Sequence, residues 1–183
     1  MKNPIIIAGL LLILPTHNAT AEKTVTVQIY NSPEMNLGEV DRSILDQVGQ
    51  GGRINFAAYV LSDYSIMDSL RNAAEKGARV RIYLDPRELE RLNLTTDHPF
   101  VKLARTRNVD VKIKSMDEGL MHMKAYSVNG VLLRTGSANE SRTGLERQDN
   151  DLLVITEKDV VATFDRKFEA MWARPSNTKF VGP

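Results

Sequence analysis

Between Val25 and Leu84 the apolar residues change their spacing four times, and that alternation leaves few folds open to the chain. Val25, Val27 and Ile29 alternate with Thr24, Thr26 and Gln28, the period of two expected of a half-buried strand. Leu37, Val40, Ile44, Leu45 and Val48 then fall at helical spacing. Gly49, Gly51 and Gly52 break the pattern before an apolar run, Ile54 to Leu61, that reads as an interior strand. Ser65 is placed to cap a helix carrying Ile66, Leu70 and Ala73, with Gly77 at its left-handed end. Val80 to Leu84 follows as a strand stopped by Asp85-Pro86. Strand, helix, strand, helix, strand with short connections predicts an α/β fold: a mixed, mostly parallel β-sheet flanked by helices on both faces.

The second half continues the theme with one hairpin. Arg87 to Arg107 reads as two helical pieces interrupted around Asn93 to Pro99, and Val109 to Ile113 resumes a strand. Met121 to Val128 and Val131 to Thr135 flank Asn129-Gly130, a pair suited to the two positive-φ positions of a type I′ turn. A polar stretch from Gly136 to Asn150 precedes a strand at Leu152 to Ile155. The last helix, Lys158 to about Ala173, carries Val161, Phe164, Phe168 and Trp172 on one stripe.

Composition narrows the chemistry. At 183 residues and 42% apolar the chain can bury one core, which excludes disordered and collagen-like classes. It has no cysteine, so disulfides, thiolate nucleophiles and zinc ribbons are excluded as well. Residues 1–21 have the form of a secretory signal: Lys2, an apolar run from Ile5 to Leu14, and Ala19-Thr20-Ala21 before the cut. That run is half the roughly 20 residues needed to span a bilayer, so no stable membrane insertion is expected. The expectation is a periplasmic or secreted protein cleaved after Ala21, with one domain over residues 22–183. Cleavage would remove one cation, Lys2, from the 24 Lys and Arg, leaving 23 against 23 Asp and Glu. A polyanion would therefore have to be attracted locally, and Lys102, Arg105, Arg107, Lys112 and Lys114, opposed only by Asp110, form the candidate patch.

On an extended strand His122 and Lys124 leave the same face, with Met121, Met123 and Ala125 on the other. An imidazole can attack phosphorus or carry protons near neutral pH, and a neighbouring ammonium can hold phosphoryl oxygens. The hairpin returns the chain toward His122, so Gly136-Ser137-Ala138-Asn139 would bring hydroxyl, amide and backbone donors beside it. No metal cluster is evident, since Asp149-x-Asp151 and Glu88-x-Glu90 are simple acidic pairs, and no cofactor is called for.

Taken together, His122-x-Lys124-x4-Asn129 and Gly136-Ser137-x-Asn139 resemble the HxKxxxxD and GSxN elements of the phospholipase D superfamily, in particular its small, secreted, single-motif nucleases. The resemblance covers nearly the whole chain after residue 21. It implies a metal-independent phosphodiesterase working through a phosphohistidine, with His122 and Lys124 as catalytic groups. Ser137 and Asn139 would contact phosphoryl oxygens or order the site. Asp149 would orient the imidazole, with Asp151 or Glu146 as substitutes. Asn129 stands where the family has aspartate, and with Gly130 and Gly136 it belongs to the structural part of the motif. Relatives use two copies of the motif and this chain has one, so a homodimer pairing two His122 side chains is implied. The resemblance leaves three readings: a sequence-nonspecific endonuclease acting on DNA or RNA, a phospholipase D acting on phospholipid head groups, or an inactive phosphate-binding homologue.

Overall fold

Parallel neighbours in a sheet need a crossover long enough to hold a helix, whereas a tight turn makes its strands antiparallel. The computed structural model, which describes residues 26–183, follows this rule throughout. In chain order its elements are β1 (Val27–Ser32), α1 (Leu37–Leu45), β2 (Arg53–Ala58), α2 (Tyr64–Glu75), β3 (Arg79–Leu84), α3 (Pro86–Glu90), α4 (Pro99–Arg105) and β4 (Val109–Ile113). Then come β5 (Lys124–Val128), β6 (Leu132–Gly136), α5 (Arg142–Glu146), β7 (Asn150–Ile155), α6 (Lys158–Trp172) and β8 (Thr178–Lys179). The described strands form one sheet in the order β1-β7-β6-β5-β2-β3-β4-β8.

The sheet is mixed and helix-flanked, as the sequence predicts, but its parallel share is smaller than expected. Only β2–β3 and β3–β4, joined through α2 and through α3 and α4, run parallel. The other pairings are antiparallel; residues 129–131, closed by the Val131 amide on the Val128 carbonyl, turn β5 back into β6.

Two cores lie against the sheet. On one face Phe56, Ile82, Tyr126 and Leu152 meet Leu37 and Leu45 of α1, Ile66 and Leu70 of α2 and Phe100 of α4. On the other, Ala57, Tyr83, Ala125 and Leu133 meet Val161, Phe164, Phe168 and Met171 of α6. Fully burying a side chain such as Phe168 contributes about 1.5–3 kcal/mol, so the single stripe of α6 is enough to seat it.

Several local expectations are corrected. Asp63, not Ser65, caps α2, accepting from the Ser65 and Ile66 amides at 2.9 and 3.1 Å, because a carboxylate two residues earlier reaches both orphan donors. β1 presents Val27 and Ile29 to solvent, 49% and 60% exposed, and turns Tyr30 toward the core. It is one of the two edge strands of the sheet. β5 begins at Lys124, three residues later than expected, and α5 and β8 interrupt stretches that carry no periodic signal. Residues 1–21, read above as a signal segment, lie outside the described residues.

Candidate active site

The β5–β6 hairpin positions the site. Asn129 and Gly130 take φ values of 56° and 70°, the left-handed geometry that Asn-Gly was expected to supply. From that tip the register Tyr126↔Arg134 runs back toward Lys124, and its continuation sets Lys124 opposite Gly136 and His122 opposite Ala138. Both motif segments therefore meet at the end of the hairpin away from the tip. Lys124 also pairs with Ala58, so this end coincides with the carboxyl ends of β2 and β3, where open α/β sheets commonly bind ligands.

His122 precedes β5 on an extended segment and is exposed. Its ring packs on Tyr59, the residue just past β2, with centroids 4.6 Å apart. Lys124 Nζ lies 5.1 Å from the same Tyr59 ring and donates to the His122 carbonyl at 3.1 Å. Imidazole and ammonium thus share one aromatic neighbour. Met121 and Ala125 are buried against α6 and Met123 packs on that core, so the expected division of faces holds. The Lys124 stem is buried, and burial lowers the ammonium's pKa while Glu140 opposes the shift.

Two anchors hold the His122 segment. The Met121 amide donates to the fully buried Asp85 carboxylate at 2.9 Å, and the Tyr59 amide donates to the Met123 carbonyl at 2.7 Å. In the sequence Asp85 reads only as a strand stop and Tyr59 only as part of an apolar run, so neither was identified as part of the site.

The GSxN turn is fixed by β7. Gly136 has φ 147°, and a Cβ there would sit 2.4 Å from the Asp151 carbonyl oxygen, so a side chain is excluded. Ser137 Oγ donates to Asn150 Oδ1 at 3.0 Å and accepts from the Asp151 amide at 2.9 Å. The Ser137 amide donates to Asp151 Oδ1 at 2.6 Å, and hydrogen bonds from Ser137 keep the Asp151 carboxyl below its ordinary pKa. Of the two roles expected of Ser137, this geometry serves the ordering one. Asn139 is half-buried, and its Oδ1 is enclosed without a hydrogen-bond partner among the described residues. A half-turn of that amide presents its Nδ2 donor to the same space, the group a phosphoryl oxygen requires.

Other expected residues lie elsewhere. Asp149 is exposed in the loop before β7, with no hydrogen bond to His122, so the structure does not join the expected acid to the imidazole. Asp151, one of its substitutes, is committed to Ser137, and Glu146 accepts from Asn36 and Arg142. Asn129 is five residues beyond Lys124 along a strand, roughly 16 Å away at the usual strand rise. There it accepts from the Arg53 amide at 2.8 Å and donates its own amide to the Arg53 carbonyl at 2.9 Å, a structural role. His98 caps α4, its Nδ1 accepting from the Phe100 amide at 3.1 Å.

The five cations do not make one patch. Lys102 and Arg105 stand on α4, which covers the α2 face of the sheet. Lys112 is on the opposite face, 5.1 Å from the Trp172 ring and bonded to the Trp172 carbonyl at 2.9 Å. Lys114 is buried, bonded to the Gly119 carbonyl and paired with Glu118 at 3.9 Å. Arg107 is exposed. Alternation along β4 and the internal partners of Lys112 and Lys114 divide the charge run. Among the described residues no three His, Asp or Glu side chains are grouped to hold a metal ion.

Residues 44–172 match the family described as "Cardiolipin synthase, PLD-like domain". A mitochondrial cardiolipin hydrolase from Chlamydomonas reinhardtii is 24% identical over 129 residues, which are 70% of this chain. The chain spans 55% of that relative's length. Among solved structures, the phospholipase D family member Nuc from Salmonella typhimurium superposes with a TM-score of 0.71 at 21% identity, covering 86% of this chain and 99% of Nuc. NucT from Helicobacter pylori gives 0.74 at 17% identity, covering 86% and 100%. With the HxK and GSxN segments meeting at one end of one hairpin, and with the family match spanning most of the sequence, the chain belongs to the phospholipase D superfamily of phosphodiesterases.

Proposed function

We propose that the protein is an exported, sequence-nonspecific endonuclease that hydrolyses nucleic-acid phosphodiester bonds in a homodimeric site. The observation that carries this reading is the exposed His122 ring and Lys124 Nζ against one Tyr59 ring, with no second histidine at the site among the described residues, where His98 caps α4. One imidazole attacks phosphorus and forms a phosphorus–nitrogen bond as the bond to the leaving oxygen breaks. The imidazolium of a second copy gives that oxygen its proton. Water, deprotonated by the same second imidazole, then displaces the first, releasing a phosphomonoester and restoring both rings. Lys124 balances charge on the phosphoryl oxygens, Asn139 offers them its amide as a donor, and we propose that turnover needs no divalent ion.

The nuclease reading draws on likeness in size and fold to Nuc and NucT, each matched over nearly its whole length. It also draws on the space beside Tyr59. That cavity, walled by Leu61, Leu84, Asp85, Glu88 and Leu89, is about 180 Å3, below the roughly 300–1,000 Å3 of pockets that enclose small molecules. A phospholipid substrate is the second reading. It is favoured by the cardiolipin hydrolase match and by an apolar trough of about 520 Å3 between Met123, Leu133, Val160 and Phe164.

The test is incubation of the pure protein, in EDTA, with plasmid DNA and with phosphatidylcholine or cardiolipin vesicles, beside His122→Ala. Nicking of DNA that His122→Ala loses is the expected result. Head-group release without nicking moves the assignment to the lipid, and inactivity on both leaves a phosphate-binding homologue.

A further inference from the structure

One guanidinium touches both halves of the motif from inside the protein. Arg134, on β6, has no exposed surface. Its Nη1 donates to the carbonyl of Lys124 at 3.0 Å, to the carbonyl of Ala138 at 3.3 Å and to Glu140 Oε1 at 3.1 Å. Its Nε and Nη2 donate to the two oxygens of Asp41 on α1, at 3.0 and 2.9 Å. Tyr126, on β5, adds its hydroxyl to Asp41 at 2.9 Å. Lys124 is the motif cation, and Ala138 stands between Ser137 and Asn139. A single nitrogen therefore fixes the spacing between the HxK strand and the GSxN turn, and the fork behind it ties both to α1.

Stability alone is a poor reason for this arrangement. Desolvating an arginine together with its acidic partners is so costly that apolar side chains of equal volume commonly do as well or better. What this polar cluster offers beyond apolar packing is direction, because a guanidinium donates along fixed lines. Here those lines end on the backbone of the catalytic segments.

We propose that Arg134 is a positioning residue for catalysis, held by Asp41 and Glu140, which sets the registry of His122 and Lys124 against Asn139. The inference rests on the phosphodiesterase reading above and adds to it a residue that touches neither substrate nor imidazole.

The test uses Arg134→Lys and the triple replacement Asp41→Leu, Arg134→Met, Glu140→Leu, which leaves no charge uncompensated, assayed on bis(p-nitrophenyl) phosphate. Arg81→Lys is the matched control. Arg81 is a nearly buried arginine on the opposite face, bonded to Asn55 and Glu169, and it touches neither motif segment. The expected result is a fall in kcat of about 10- to 100-fold for both Arg134 variants, the scale of an ångström-sized misplacement, with KM changed less than about threefold. Arg81→Lys should lose melting temperature and keep kcat. Arg134 variants that fold and keep the wild-type kcat would overturn the proposal. So would a loss of kcat matched by Arg81→Lys.

A second readout does not need turnover. The imidazole proton resonances of His122 should shift in Arg134→Lys while those of His98 stay in place, and unmoved His122 signals would equally overturn it. A wild-type protein that fails to turn over the diester, with His122 shifting as expected, would instead count against the functional reading and leave the positioning role supported.

Discussion

At Asn129 a carboxamide stands where the family motif has a carboxylate, and its surroundings explain why the change is mild. Its Oδ1 accepts from the Arg53 amide, a task either side chain performs, and its φ of 56° is one that Asn and Asp tolerate better than other residues with a Cβ. Asn129→Asp should leave turnover within about twofold. Asn129→Ala, which loses the acceptor and strains the turn, should cost about 1–3 kcal/mol by chemical denaturation. Lys124 behaves in the opposite sense. Burial already disfavours its charge, so Lys124→Met should abolish turnover yet leave the melting temperature within a few degrees of wild type. Unfolding instead would mean that the ammonium is part of the core. His122, Lys124 and Asn139 were legible in the sequence because HxK and GSxN keep short, fixed spacings. Tyr59, Asp85, Arg134 and Asp41 were not, because each reaches the site across the sheet or from another element, and linear spacing carries no trace of that.

Among the elements, the helices and the hairpin were readable from periodicity and from Asn-Gly. What the pattern concealed were α5, five residues long, and the direction of most strands, which depends on how connections close rather than on the residues within each strand. Glu140, just past β6, is where an element's chemistry departs most from its sequence. Burial pushes its carboxyl up to about 8, against the pull of Arg134, with Asp41, Lys124 and Tyr126 as the other charged or titratable neighbours. The folded chain therefore holds this proton more tightly than the unfolded chain does. The resulting stability is fully present below the ordinary carboxylate range and is lost as pH rises through about 8. Melting temperatures measured from pH 5 to 9 should fall more steeply for wild type than for Glu140→Gln, which cannot ionise. Parallel curves would mean that the carboxyl titrates normally.

For the molecule as a whole, charge placement bears on how a polyanion could be held. Lys102 and Arg107 are exposed, while Lys112 and Lys114 have internal partners. Charge reversal of the first two should weaken DNA binding and flatten its dependence on salt, measured by fluorescence anisotropy between about 50 and 200 mM salt. Lys112→Ala and Lys114→Ala should lower the melting temperature and leave the salt slope in place. If all four change the slope alike, the internal contacts of Lys112 and Lys114 do not persist when DNA is present.

Because Lys124 stands on one arm of the hairpin, with His122 just before that arm and Asn139 just beyond the other, the three inherit its parity. Adding a single residue within either arm would turn each reactive group beyond the insertion to the reverse side of the sheet, and the constellation would come apart although every one of its members was still present. Between Lys124 and Gly136 the number of positions is therefore as constrained as the buried residues that fill them.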